Sequence, residues 1–102
     1  MAVDHQVTPR QAGQALAKLV CAEPAARGLW VRATRDYIEL WLVTAPTGPD
    51  TVGRLHQAGL AVEDRFPGAD LRLHVLNAAN YPGADPATNI PPGAEEISLR
   101  SE

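Results

Sequence analysis

The stretch at residues 29–43 constrains this chain more than any other. Leu29-Trp30-Val31-Arg32-Ala33-Thr34 and Tyr37-Ile38-Glu39-Leu40-Trp41-Leu42-Val43 are rich in β-branched and aromatic residues, and only Arg35-Asp36 separates them. That break is the length of a tight turn, so the two segments read as an antiparallel hairpin. Pairing about it sets Ala33 against Ile38, Val31 against Leu40 and Leu29 against Leu42, which makes one face wholly apolar. The same register sets Thr34 against Tyr37, Arg32 against Glu39 and Trp30 against Trp41 on the other face. An opposite-charge pair and an aromatic pair each contribute roughly 0.2–1 kcal/mol to a sheet. A slip of one residue would mix the faces, so the register is strongly specified. Arg35-Asp36 is a poor two-residue primed turn, which favours Asn-Gly or Asp-Gly, and the loop is expected to open toward four residues.

The flanking segments supply a cover for the apolar face. Thr8-Pro9-Arg10-Gln11 is a capping box with proline at the first helical position, and it predicts a helix over residues 9–22. Ala12, Ala15, Leu16, Leu19 and Val20 form its apolar stripe, and Cys21 is expected at least partly buried near its end. A second helix follows residues 44–50, with Asp50 or Thr51 as the expected cap and Val52, Leu55, Gly59, Val62 and Phe66 at three-four spacing. A glycine at position 59, on the stripe, implies close approach to the sheet. Residues 71–77 then predict a third strand, with Leu71, Leu73 and Val75 toward the core and Arg72 and His74 on the opposite face. A strand, helix, strand order implies a right-handed crossover, so this strand runs parallel to residues 37–43.

The sequence therefore predicts an α+β two-layer sandwich in the order α-β-β-α-β, with a three-stranded mixed sheet and both helices on one face. At 102 residues one hydrophobic core is expected. Residues 1–77 form that core in this reading. Residues 78–102 form a Pro/Gly-rich extension, carrying Pro82, Pro86, Pro91 and Pro92 with Gly83 and Gly93. It reads as extended and without periodicity, packing on the core or exchanging with it. The alternating stretch at 96–100 adds as an edge strand in cis or on a second chain.

The function classes narrow by what the chemistry requires. Twelve acidic and nine basic residues give a net charge of −3, which weighs against a nucleic-acid partner despite the cluster of Arg27, Arg32 and Arg35. One cysteine excludes an intramolecular disulfide, and His5, His56 and His74 show no metal-ligand spacing, so no metal and no cofactor is expected. Glycine-rich phosphate loops are absent, and Ser98 follows no glycine elbow. No apolar run reaches the ~20 residues that span a bilayer. With no signal-peptide design at residues 1–10, the cytoplasm is the expected location.

What remains is the outer face of the sheet. Trp30, Arg32, Tyr37, Glu39, Trp41, Arg72 and His74 share it, and it holds both tryptophans of the chain. Trp, Tyr and Arg are the types enriched where protein interfaces concentrate their energy. The expectation is a non-catalytic interaction or oligomerisation module, a homodimer or an adaptor for another protein, using this face. One alternative is a small enzyme with His74 and Glu39 as an acid/base pair on or beside the face. A weak nucleic-acid-associated accessory protein is the third reading. Asn77, Asn80 and Tyr81 cluster just past the third strand, where open sheets with parallel strands bind ligands, and where asparagine also serves turns.

Overall fold

The computed structural model describes residues 7–99. Helix α1 spans Pro9–Val20, strands β1 and β2 span Ala26–Ala33 and Ile38–Thr44, helix α2 spans Pro49–Arg65, and strand β3 spans Leu71–Asn77. Two short 3-10 turns, Ala78–Asn80 and Pro86–Asn89, lead to strand β4 at Glu95–Ile97. The class is α+β with two helices and a mixed sheet. The sheet has four strands rather than the expected three, in the order β3-β2-β1-β4.

The hairpin has the register that its side chains demand: Leu29 faces Leu42, Trp30 faces Trp41, Val31 faces Leu40 and Arg32 faces Glu39. Its turn is closed by Thr34 instead of by glycine. The Thr34 hydroxyl accepts from the amides of Asp36 and Tyr37, while the Thr34 amide donates to the Tyr37 carbonyl at 2.8 Å. Strand β3 runs parallel to β2, with Glu39 beside Arg72, Trp41 beside His74 and Val43 beside Leu76. Strand β4 runs antiparallel to β1, with Leu29 beside Ile97 and Trp30 beside Glu96. Three of the expected strand residues, Glu96, Ile97 and Ser98, are described as strand or its immediate end; Arg100 lies outside the described residues, as does His5.

The core lies between the helices and the inner face. Leu29, Val31, Leu40 and Leu42 from the hairpin pack with Ala12, Leu16 and Val20 of α1 and with Leu55 and Val62 of α2, all nearly inaccessible. The Thr8 capping box is present in full, with the hydroxyl accepting from the Gln11 amide and the Gln11 side chain accepting from the Thr8 amide. Helix α2 differs from expectation at its start: Gly48 is the N-cap with Pro49 after it, and neither Asp50 nor Thr51 caps. Proline at the first helical position pre-sets φ, so a side-chain cap is dispensable.

Two α1 residues are also corrected. Leu19 is 53% exposed, and Cys21 is exposed at the C-cap. The buried residues of α1 are Ala12, Gly13, Leu16, Ala17 and Val20. The stripe is thus centred nearer Gly13 than the alanine and leucine positions indicate, because a glycine carries no hydrophobic signal. Its placement is steric: a Cβ on Gly13 would lie 2.6 Å from Val31 Cγ1 and 2.8 Å from Ile97 Cγ1.

The extension is not extended. Tyr81-Pro82-Gly83-Ala84 and Pro91-Pro92-Gly93-Ala94 are turns closed from the fourth amide to the first carbonyl, with Gly83 at φ 76° and Gly93 at φ 89°. Proline then glycine at the two central positions is the pattern of a type II turn. Between them Asp85 caps the second 3-10 turn by accepting from the Ala87 amide at 2.9 Å.

The candidate site on the outer sheet face

Strand alternation sends Trp30, Arg32, Glu39, Trp41, Val43, Arg72, His74 and Leu76 away from the helices. The registers order these residues in rows across the sheet. One row reads Arg72, Glu39, Arg32; the next reads His74, Trp41, Trp30, Glu96; the third reads Leu76, Val43, Gly28.

The third row is apolar and covered. Val43 and Leu76 are buried at 6% and 9% exposure, yet neither belongs to the core cluster beneath the helices. The link from β3 to β4 must carry the chain from one sheet edge to the other. It moves across the sheet opposite to the β2-to-β3 crossover, so a right-handed connection passes over the face that α2 does not cover. The Pro86–Asn89 turn lies against β3, and Pro86 is buried. Trp30 extends this layer: its six-membered ring lies over Gly28, where a Cβ would come within 2.7 Å of Cη2 and Cζ3.

The other two rows are polar and half open. Glu39 is buried, and its Oε1 accepts from Arg32 Nε at 2.9 Å and lies 2.8 Å from Nη2. A charge-assisted hydrogen bond and the second guanidinium nitrogen at ion-pair distance offset the cost of burying the carboxylate. Its second oxygen lies 3.8 Å from His74 Nε2, beyond hydrogen-bond distance. The His74 ring stacks on Trp41, with centroids 4.1 Å apart and planes 18° from parallel. Trp41 Nε1 and His74 Nε2 are both buried and have no hydrogen-bond partner among the described residues, although 40% of the His74 side chain is exposed. The exposed part of the imidazole is thus its other edge.

At the margin, the Arg72 guanidinium lies 3.9 Å from the centre of the Tyr37 ring, within cation–π range. Asp70 accepts from Arg72 Nη2 at 3.3 Å, and this contact holds the guanidinium pKa above its ordinary value. Asp70 was not legible as a partner because it precedes the strand by one residue.

The expected acid/base pair is therefore brought together, but Glu39 is committed to Arg32. A carboxylate held by a two-nitrogen guanidinium contact is a structural anchor, which weakens the enzymatic reading. The loop residues divide. Asn77 is buried, accepts from the amides of Ala79 and Thr47, and donates from Nδ2 to the Thr47 carbonyl at 2.8 Å. These bonds tie the end of β3 to the β2–α2 loop and consume the side chain. Asn80 is exposed and Tyr81 half-buried, and the Tyr81 backbone closes both the 3-10 turn and the turn that follows.

Among the described residues no helix is long and apolar enough to cross a membrane, and no three His, Cys, Asp or Glu side chains are grouped to hold a metal ion. No family model, curated protein or solved structure matches the chain.

Proposed function

We propose that this protein is a non-catalytic self-association module that uses the open rows of its outer sheet face, Arg32, Tyr37, Glu39, Trp41, Arg72 and His74, to bind a second copy. The observation that carries this reading is the Trp41–His74 stack beside Arg72 over Tyr37: flat, half-buried aromatic surface held rigid by ion pairs. Rigid aromatic and arginine surface loses little conformational entropy on binding, which favours interface energetics.

Charge favours a protein partner over a polyanion. Arg32, Arg35 and Arg72 stand against Asp36, Glu39, Asp70 and Glu96, three against four, so the face is close to neutral, repels a copy of itself little and does not attract phosphate. Symmetric dimers are also the commonest assembly of soluble chains. The test is tryptophan quenching by iodide as concentration rises. Trp41 lies within the docking rows, so association should progressively shield its indole. Quenching independent of concentration would contradict the proposal.

A further inference from the structure

Strand β4 is a ligand-like segment seated in a built groove. Only three residues form it, and among them Ile97 alone is buried. The seat on the sheet is specific nonetheless. Gly13 of α1 leaves the space that Ile97 and Val31 fill, Arg10 of the same helix pairs with Glu95, and the backbone of β1 supplies the ladder from Leu29 to Val31. A contact this small opens at little cost, since local stability follows the buried area and the ladder length.

The connection to it carries slack. Residues 78–94 are seventeen residues between the end of β3 and the start of β4. Crossing three strand spacings and running back along one strand needs roughly 25 Å, whereas seventeen residues reach about 56 Å when extended. The excess is stored in the two Pro-Gly turns and two 3-10 turns. The turn at Pro91–Ala94, immediately before β4, is a natural hinge, because proline loses little freedom when the chain there straightens.

We infer that β4 exchanges between two copies: the Glu95–Ile97 segment of each protomer leaves its own β1 and takes the same seat on β1 of the other. The occupant is fixed by what the groove already holds, since the exchanged strand regains every contact it gives up. This inference rests on the self-association reading and specifies how the copies join.

Isotope mixing with a directed cross-link tests it. The chain has a single lysine, Lys18, so Arg10→Lys places one new amine against the Glu95 carboxylate that a carbodiimide can couple. Light and 15N-labelled Arg10→Lys full chains are unfolded together, refolded, and cross-linked in the dimer fraction, and the peptides joining positions 10 and 95 are weighed. Exchange predicts that about half of them carry one light and one heavy strand, the statistical share for random pairing. Repeating the mixing with Arg72→Glu/His74→Glu added separates the two ideas. Dimers lost in that variant, with only single-isotope peptides in the parent, overturn exchange and leave the face reading intact. Dimers that persist in it with mixed peptides support exchange and overturn the face reading. Absence of any dimer overturns both.

Discussion

Trp41 and His74 occupy directly neighbouring positions on parallel strands and stack with their ring centroids 4.1 Å apart. Neighbouring parallel strands lie about 4.8 Å apart, so equivalent side chains on one face are already near stacking distance. The register therefore makes the stack, with the two planes 18° from parallel. His74 is consequently a rigid part of the face, and an experiment that removes its ring perturbs the indole beside it. His74→Ala should change Trp fluorescence emission while leaving far-ultraviolet circular dichroism as it was; unchanged emission would mean the stack does not form in solution.

The Arg32–Glu39 pair should reveal itself by asymmetry. Removing the guanidinium with Arg32→Met strands a buried carboxylate and is expected to cost about 1–3 kcal/mol, discounted for the part-exposed arginine. Arg32→Met/Glu39→Met, which removes both charges, should cost less than that single change. Urea denaturation of the three proteins measures it, and a double variant weaker than Arg32→Met contradicts the burial argument.

Three helical glycines rank by the space around them. Gly53 is exposed with nothing within 4 Å of an added Cβ, so Gly53→Ala should stabilise by about 0.5–1 kcal/mol. At Gly59 the added carbon would meet Leu73 Cδ2 at 2.7 Å, the end of a half-buried side chain that can rotate, and the change should be near neutral. At Gly13 it would meet the buried Val31 and Ile97 at 2.6 and 2.8 Å, and a loss of about 1–3 kcal/mol is expected. Thermal melts that reverse this order would refute the packing described for α1.

Acid should act partly through Glu23. Its carboxylate accepts from the Ala25 amide at 3.1 Å and from Arg54 Nη2 at 3.2 Å, and the backbone bond first, then Arg54, hold its pKa below the ordinary 4.5. A depressed folded pKa means the stabilisation is present above about pH 4.5 and is lost as pH falls through the folded value. Glu23→Gln should therefore flatten the stability profile below pH 4.5 relative to wild type. Parallel profiles for the two proteins would show that Glu23 is not coupled to folding.

The hairpin register and the identity of the outer-face residues were legible because period-two alternation over the five consecutive pairs from Leu29–Leu42 to Ala33–Ile38 admits one solution, and the crossover direction followed from the strand, helix, strand order. The centre of α1 was obscured because its closest contact is a glycine. That the extension packs on the core was one of the expectations, but its place over Val43 and Leu76 was hidden, since Pro86 and its turns have no periodicity to read and reach the face only through the long link to β4. The fourth strand is short enough that alternation alone left its pairing open. At the site, sequence paired Arg32 with Glu39 and placed His74 near them, but the burial of that carboxylate and its 3.8 Å separation from His74 Nε2 come only from the three-dimensional arrangement.

Sedimentation velocity of the full chain over the micromolar range tests the central claim most directly. Wild type should pass from monomer to dimer as concentration rises, and Arg72→Glu/His74→Glu, at two part-exposed positions that leave the core untouched, should remain monomeric. A wild-type chain that stays monomeric throughout, or a variant that dimerises as wild type does, would contradict self-association through this face.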